Sequence, residues 1–138
     1  MNTPRLLLAI AGGFVVIFGT DLLIHHFWLA ADYKAMQSVW RPESQMNALM
    51  HWMFIGQILA AGSFVVIWAK GFGGRSVGTA LVFALLIGIF QQTWVIASYV
   101  IFPIPADLAL KWYFSGLVQV VLLGIVVALI YRPRVTGP

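Results

Sequence analysis

The sequence predicts an all-α fold, an integral membrane bundle of four helices. Of the 138 residues, 62% are hydrophobic and 9% are charged, whereas a soluble domain is typically about half apolar and about a quarter charged. The apolar residues form four runs, each long enough to cross a hydrocarbon layer roughly 30 Å thick as a helix of about 20 residues. These runs lack the strict alternation of a membrane β-barrel, which leaves helices as the way to satisfy the backbone in lipid.

We predict one transmembrane domain over residues 1–138, with helices at residues 6–29, 48–69, 77–102 and 108–131. The first run resembles a signal peptide at its start. It continues to Leu23, longer than a typical signal sequence, so we expect a retained helix. Asn47 stands just before the second apolar run and favours a helix start there. A short basic segment and a short proline-containing segment connect the later helices.

The charges that flank the helices predict their orientation. Basic residues concentrate beside both termini and between the second and third helices, namely Arg5, Lys70, Arg75, Arg132 and Arg134. The opposite side mixes both signs, with Lys34, Arg41, Lys111, Asp32, Glu43 and Asp107. Because cytoplasmic segments carry an excess of Lys and Arg, we expect both termini and the loop between the second and third helices to be cytoplasmic.

Aromatic residues near the predicted helix ends are typical of membrane-interface anchors. Those on the outer side are Trp28, Tyr33, Trp40, Trp52, Trp112 and Tyr113, and those on the inner side are Trp68 and Tyr131.

The second and fourth helices share a short pattern. Residues 51–56 read HWMFIG and residues 111–116 read KWYFSG, with Trp, Phe and Gly in the same places. The bundle is therefore either two repeated helical hairpins or a single unrepeated unit. Small residues that let helices approach closely include Gly12, Gly19, Gly56, Gly116 and Gly124.

Each predicted helix carries a polar residue at a similar depth. At 1.5 Å per residue, Asp21 lies roughly 12 Å below the outer end of its helix and the others lie at roughly 12–18 Å. We call these residues the polar layer: Asp21, Gln57, Gln91, Gln92, Ser115 and Gln119. Ionisable residues at such depth usually face the bundle interior and have a partner. We expect either a hydrogen-bonded brace between helices or a polar cavity that binds a ligand or relays protons.

A metal site is a second hypothesis. Asp21 and His25 are four residues apart and share a helix face, while His51 enters the neighbouring helix at nearly the same depth. Asp21, His25 and His51 are therefore predicted ligands for Zn or Cu, and two histidines alone could hold haem iron. The alternative is that these histidines are hydrated anchors, as we expect for His26.

The outer loop joins the first two helices and carries Trp40, Arg41 and Glu43. We expect this loop to fold over the bundle mouth, with Arg41 paired to Glu43, Asp32 or Asp21, and to act as a lid rather than remain a solvated loop. The alternative is a docking surface for a partner protein.

Several function classes are excluded by missing parts. The chain has no cysteine, and therefore no disulfide, thiolate ligand or cysteine nucleophile. Its basic residues are scattered, which argues against nucleic-acid binding. No GxSxG serine and no phosphate-binding glycine loop with a lysine are present.

Short sequence motifs spread along the chain resemble those of a set of short bacterial membrane proteins to which no activity is assigned. They are His25-His26, Tyr33, Trp40-Arg41-Pro42-Glu43, Met46, Met50, Trp52-Met53, Gly56-Gln57, Ala69-Lys70-Gly71, Pro103-Ile104-Pro105, Lys111-Trp112 and residues 128–133. The helix layout is similar to a four-helix family of unknown function. The resemblance implies a location in the bacterial inner membrane, with both termini cytoplasmic, and no activity. Asp21 and His25 also resemble the Asp-xxx-His ligand pair in the membrane subunit of copper monooxygenases. His51, as third ligand, is much farther along than in that family.

We therefore expect a non-catalytic accessory or interaction subunit of a membrane assembly, which packs in the lipid bilayer against itself or a larger complex. A metal- or haem-binding protein is the first alternative. A small transporter or proton relay through the polar layer is the second.

Overall fold

The computed structural model describes residues 2–72 and 75–131, and in this part the chain is helical with no strand. The elements in chain order are α1 (Thr3–Asp21), a π-helical segment (Leu22–Trp28), α2 (Ala30–Ala35), α3 (Glu43–Gly71), α4 (Val77–Ile101) and α5 (Ala106–Ile130). Arg132 and Arg134, used above to predict orientation, lie outside the described residues.

In the described part of the chain, four helical stretches are long and apolar enough to cross a membrane, which indicates a multi-pass membrane protein. They are Thr3–Trp28, Glu43–Gly71, Val77–Ile101 and Ala106–Ile130. The shortest have 25 residues, or roughly 37 Å of helix at 1.5 Å per residue, which exceeds the roughly 30 Å hydrocarbon layer. The predicted all-α four-helix fold is confirmed.

The helix starts follow local chemistry. Asn2 caps α1 by accepting a hydrogen bond from the Arg5 amide at 3.3 Å, and Ser76 caps α4 by accepting one from the Thr79 amide at 3.2 Å. α3 begins at Glu43, earlier than the predicted residue 48. Pro42 explains the difference because its fixed φ of −53° prepares the first turn, and its carbonyl accepts hydrogen bonds from the amides that follow.

The long helices pack side by side in the order α3, α1, α5, α4. α1 packs closely on both α3 and α5, and α5 packs closely on α4. α3 and α4 are not a closely packed pair, so the bundle has an open side between them. The two ends of the bundle are named by what lies there. We call the end with α2 and the α4–α5 connection the loop end, and the opposite end, where α1 begins, the Thr3 end.

Small residues bring the helices together toward the Thr3 end. A Cβ at Gly124 of α5 would lie 2.5 Å from the Cβ of Ala84 and 3.2 Å from the carbonyl oxygen of Ala80, both in α4. A Cβ at Gly13 of α1 would lie 3.0 Å from the Leu123 side chain. At Gly124 only glycine permits such an approach, whereas a larger residue at Gly13 would require the Leu123 side chain to shift. Gly19 and Gly56 have no neighbour within 4 Å of an added Cβ, so they do not serve close packing.

Aromatic side chains close the open side at the Thr3 end. The Phe83 ring of α4 lies 5.0 Å from Phe64, 5.8 Å from Trp68 and 4.9 Å from Phe72, measured between ring centroids. Trp68 is 1% exposed and Tyr131 is 9% exposed, so the expectation that these two anchor a membrane interface is wrong. Contacts between helices bury them in the core instead.

The two hairpins are packed unequally. If α1 and α3 repeat as α4 and α5, the close α1–α5 pair corresponds to the α4–α3 pair, which is open. The repeated positions differ in the same way, because Trp52 is 62% exposed while Trp112 is half-buried and hydrogen-bonded.

Candidate functional site: a polar cavity among the four spans

Asp21, the last residue of α1, is bonded to two neighbouring helices. Its Oδ2 accepts a hydrogen bond from Gln57 Nε2 of α3 at 2.7 Å, and its Oδ1 accepts one from Gln119 Nε2 of α5 at 2.7 Å. Gln119 Nε2 also lies 2.7 Å from Thr20 Oγ1 and 3.2 Å from the Ile17 carbonyl oxygen. These bonds join α1, α3 and α5 at one depth in an apolar bundle, where hydrogen bonds are little weakened by water.

A cavity of about 490 Å³ lies beside this carboxylate. All six residues of the polar layer line it, and they come from all four spans. His25 and Trp112 line it toward the loop end, and Gly56 lines it on α3. The cavity falls on the side where α3 and α4 do not pack closely. The structure therefore brings the predicted layer together around a space rather than a filled core.

Two amides in the cavity wall have unused hydrogen-bonding capacity. Gln57 is 7% exposed, and its Oε1 is buried without a hydrogen-bond partner among the described residues. Gln92 of α4 is 5% exposed and forms no hydrogen bond within the described part of the chain. Its amide lies directly against Gly116 of α5, where an added Cβ would collide with it. A buried polar atom without a partner is costly, and Gln57 Oε1 is such an atom. The unpartnered amide of Gln92 is not fully buried, and Gln92 lines the cavity, so this group is available to a ligand.

The remaining two members of the layer contribute less. Gln91 is exposed at the open side, and Ser115 donates a hydrogen bond to the Trp112 carbonyl at 3.3 Å, within its own helix.

The π-helical segment sets the position of His25. Leu22–Trp28 continues α1 with a wider turn, and such segments often occur at functional sites. His25 Nε2 lies 4.0 Å from Asp21 Oδ1, and His25 Nδ1 is hydrogen-bonded to the Tyr33 hydroxyl of α2. His25 therefore stands between the polar cavity and the loop end.

Tyr33 joins this histidine to α5. The Trp112 indole N–H can only donate, so Tyr33 Oη accepts from it, at 2.8 Å. The Tyr33 hydrogen is then directed to His25 Nδ1, and a neutral imidazole carries its own hydrogen on Nε2, the nitrogen nearer Asp21. Burial, opposed by the Trp112 hydrogen bond and assisted by nearby Asp32 and Asp21, raises the pKa of Tyr33 to about 12. Its hydroxyl is therefore protonated and able to donate at ordinary pH.

The outer loop covers this end of the bundle through one of its three predicted lid residues. The Trp40 ring packs against Tyr33 and Trp112, at centroid distances of 5.6 and 6.1 Å. Arg41 and Glu43 are exposed and have no ion-pair partner among residues 2–72 and 75–131. The acidic residues offered to Arg41 are used elsewhere: Asp32 pairs with Lys111 at 2.9 Å, and Asp21 binds the two glutamines.

The predicted metal set is not assembled in this arrangement. Within the described chain, no three His, Asp, Glu or Cys side chains are grouped so that they could hold a metal ion. His51 is exposed, contacts the Trp52 ring at 5.3 Å, and does not line the cavity. His25 Nδ1 is hydrogen-bonded to the Tyr33 hydroxyl, so this nitrogen already has a partner within the chain. His26 is exposed beside Phe27, as expected for an interfacial residue.

Sequence reasoning missed two parts of the site. Tyr33 and Trp112 were expected only to anchor the interface, and no local pattern indicates that they meet each other and His25. Thr20 was not considered, although its position next to Asp21 is a usable signal.

No family model, curated protein or solved structure matches this chain. The resemblance to short bacterial membrane proteins stays a prediction.

Proposed function

We propose that this chain is a small multi-pass protein of the bacterial inner membrane, with both termini cytoplasmic, that binds a small molecule in the polar cavity between its spans. The observation that carries the proposal is the cavity itself. Its volume of about 490 Å³ falls in the usual range of ligand sites, about 300–1,000 Å³. Every span contributes a polar side chain to its wall.

The unused hydrogen-bonding groups favour a ligand site over a structural brace. In a brace, the polar side chains satisfy one another, as Asp21, Gln57 Nε2 and Gln119 do. Gln57 Oε1 is buried without a partner in the described residues, and the unpartnered Gln92 lines the cavity. The layer therefore combines a brace that joins α1, α3 and α5 with hydrogen-bonding groups that have no partner among the described residues.

Native mass spectrometry on protein released from mild detergent tests this proposal. Gly56→Trp places an indole in the cavity, and Gly62→Trp on the same helix is the matched control, since Gly62 does not line it. We expect a bound small molecule with the wild type and with Gly62→Trp, and its loss with Gly56→Trp. Equal retention by all three proteins would contradict binding in the cavity.

Proton transfer is a second candidate function, favoured by the position of His25 between Asp21 and Tyr33. In vesicles containing a pH-sensitive dye, the wild type is expected to dissipate an imposed pH gradient faster than His25→Gln. Equal rates for the two proteins would exclude His25 from such a path. The expected role as an accessory subunit stays a prediction, and co-purification of other chains would test it.

A further inference from the structure

The polar cavity contains a carboxylate without a balancing cation. Asp21 receives its hydrogen bonds from neutral amides, and the described residues that line the cavity include no Lys or Arg. The nearest ionisable side chain is His25, whose Nε2 is 4.0 Å away. Carboxylates within membrane spans usually pair with a positive partner, and electrostatic complementarity selects ligands of opposite charge.

The second feature is an acceptor that lacks a donor. Gln57 Nε2 donates a hydrogen bond to Asp21, and Gln57 Oε1 is buried without a partner among the described residues. Each carboxylate oxygen of Asp21 accepts one bond and can accept another. The unfilled positions on Asp21 and Gln57 are therefore acceptors, which favour a ligand that donates hydrogen bonds, and the charge of Asp21 favours a cationic donor.

The rest of the cavity suits an apolar body. Trp112 and Met53 line the wall toward the loop end, and an indole ring attracts cations as well as apolar groups. A second cavity of about 180 Å³ adjoins the first toward the Thr3 end, and both are lined by Ile17, Ala60, Gln91 and Gln119. Its walls are mainly apolar, with Phe64, Phe83, Ile87 and Leu123.

The open side offers a route for such a molecule. α3 and α4 do not pack closely beside the polar cavity. At the Thr3 end they are joined by Phe83 and the rings it contacts, Phe64, Trp68 and Phe72, which we call the Phe83 cluster. Gly56 on α3 has nothing within 4 Å of an added Cβ, and Gln91 on α4 is exposed. A ligand dissolved in the surrounding apolar phase would meet the polar layer through this gap.

We propose that the ligand is a protonated lipophilic amine, whose ammonium group donates hydrogen bonds to Asp21 and to Gln57 Oε1 while its apolar body extends along the open side toward Phe64 and Phe83. This inference rests on the proposed ligand-binding function and specifies its chemical class. A neutral alcohol of the same shape lacks the charge, and a carboxylate of the same shape is repelled by Asp21.

The test compares three probes of one shape: 1-adamantylamine, 1-adamantanol and 1-adamantanecarboxylate. Binding is measured by equilibrium dialysis against the protein in nanodiscs of zwitterionic lipid, with empty nanodiscs subtracting partition into lipid. We expect the amine to bind wild type at least about tenfold more tightly than the alcohol, corresponding to one decade in Kd, and the carboxylate not to bind. Equal affinities for amine and alcohol would overturn the inference without using any variant.

The variants separate the two levels of the claim. Asp21→Asn should remove the preference for the amine and leave the alcohol affinity within about threefold. Gln57→Leu should weaken the amine more than the alcohol. Gly56→Trp should abolish binding of every probe, and Gly62→Trp should not.

Failure of the two claims is distinguishable. If no probe binds more to the protein than to empty nanodiscs, the ligand-binding function itself fails. If the alcohol or the carboxylate binds at least as well as the amine and Gly56→Trp abolishes it, the cavity binds ligands but the amine assignment is wrong.

Discussion

The two halves of the bundle are built from the same four helices but are held together differently. At the Thr3 end, Gly13 and Gly124 let backbones approach, and the Phe83 cluster fills the space between α3 and α4. At the loop end, Asp21 and its glutamines join the helices by hydrogen bonds, and a cavity separates α3 from α4. Lipid supplies little drive for apolar association, so contact geometry decides where helices close and where a site is left open.

The Thr3 half can hold the bundle together while the loop half keeps a cavity between α3 and α4. Close packing in the Thr3 half supplies dispersion contacts that do not depend on the cavity. The loop half can then keep buried amides partly unpartnered, an arrangement that costs free energy. Variants in each half should therefore differ in their effect on stability.

The largest effect is expected for Gly124→Ala. The added methyl group meets Ala84 and the Ala80 carbonyl and pushes α5 from α4, and such overpacking costs about 1–3 kcal/mol. Gly62→Ala is the matched control because an added Cβ there has no neighbour within 4 Å. Thermal unfolding in detergent, followed by circular dichroism, should show a clear fall in Tm for the first variant. An unchanged Tm would mean that the Thr3 half is not closed by this contact.

Gln119→Leu comes next. It removes the amide that bonds Asp21 and Thr20, at a cost of about 0.6–2 kcal/mol, since interhelical hydrogen bonds in membranes contribute this much. Gln91→Leu changes an exposed glutamine of the same layer that forms no hydrogen bond in the described residues. The same unfolding measurement should separate the two variants, and equal Tm values would show that the brace does not hold the loop half together.

Alkaline pH should destabilise the loop half because it deprotonates Tyr33. Burial raises the pKa of Tyr33 to about 12. The contribution of its protonated hydroxyl to the free energy of unfolding is therefore fully present below the ordinary tyrosine pKa of about 10, and it is lost as pH rises toward about 12. Tyrosinate absorbance should show a late-titrating group that Tyr33→Phe removes. Its persistence in that variant would assign the late titration to another tyrosine.

The smallest effect is expected for Lys111→Met. Its ion pairs with Asp32 at 2.9 Å and Asp107 at 3.6 Å lie at the loop end and are partly exposed to solvent, where such pairs contribute little and are screened by salt. Lys34→Met is the control, since Lys34 is exposed and has no ion pair in residues 2–72 and 75–131. The small difference in Tm should disappear at high salt; a difference that persists would point to packing of the lysine stem.

The sequence alone determined the architecture and the depth of the polar layer. Long apolar runs have few alternatives to helix in a membrane, and the helical rise places Asp21, Gln57 and Gln119 at one level. Residue spacing shows neither how each helix is rotated in the bundle nor which side chains its neighbours cover, and for that reason Trp68 was expected at an interface. The helices α1 and α3 are neighbours as expected, but His51 is exposed and does not line the cavity.

Only the tertiary structure decided that α1 lies between α3 and α5 while α3 and α4 stay apart. The glycines differ accordingly: Gly124 lies against the α4 backbone, whereas Gly56 has no neighbour within 4 Å of an added Cβ. Because of this helix order, two glutamines of the polar layer bond Asp21 and all four line the cavity. The same order also brings Trp112 to Tyr33, a residue 79 positions away in the chain, and Tyr33 in turn is hydrogen-bonded to His25.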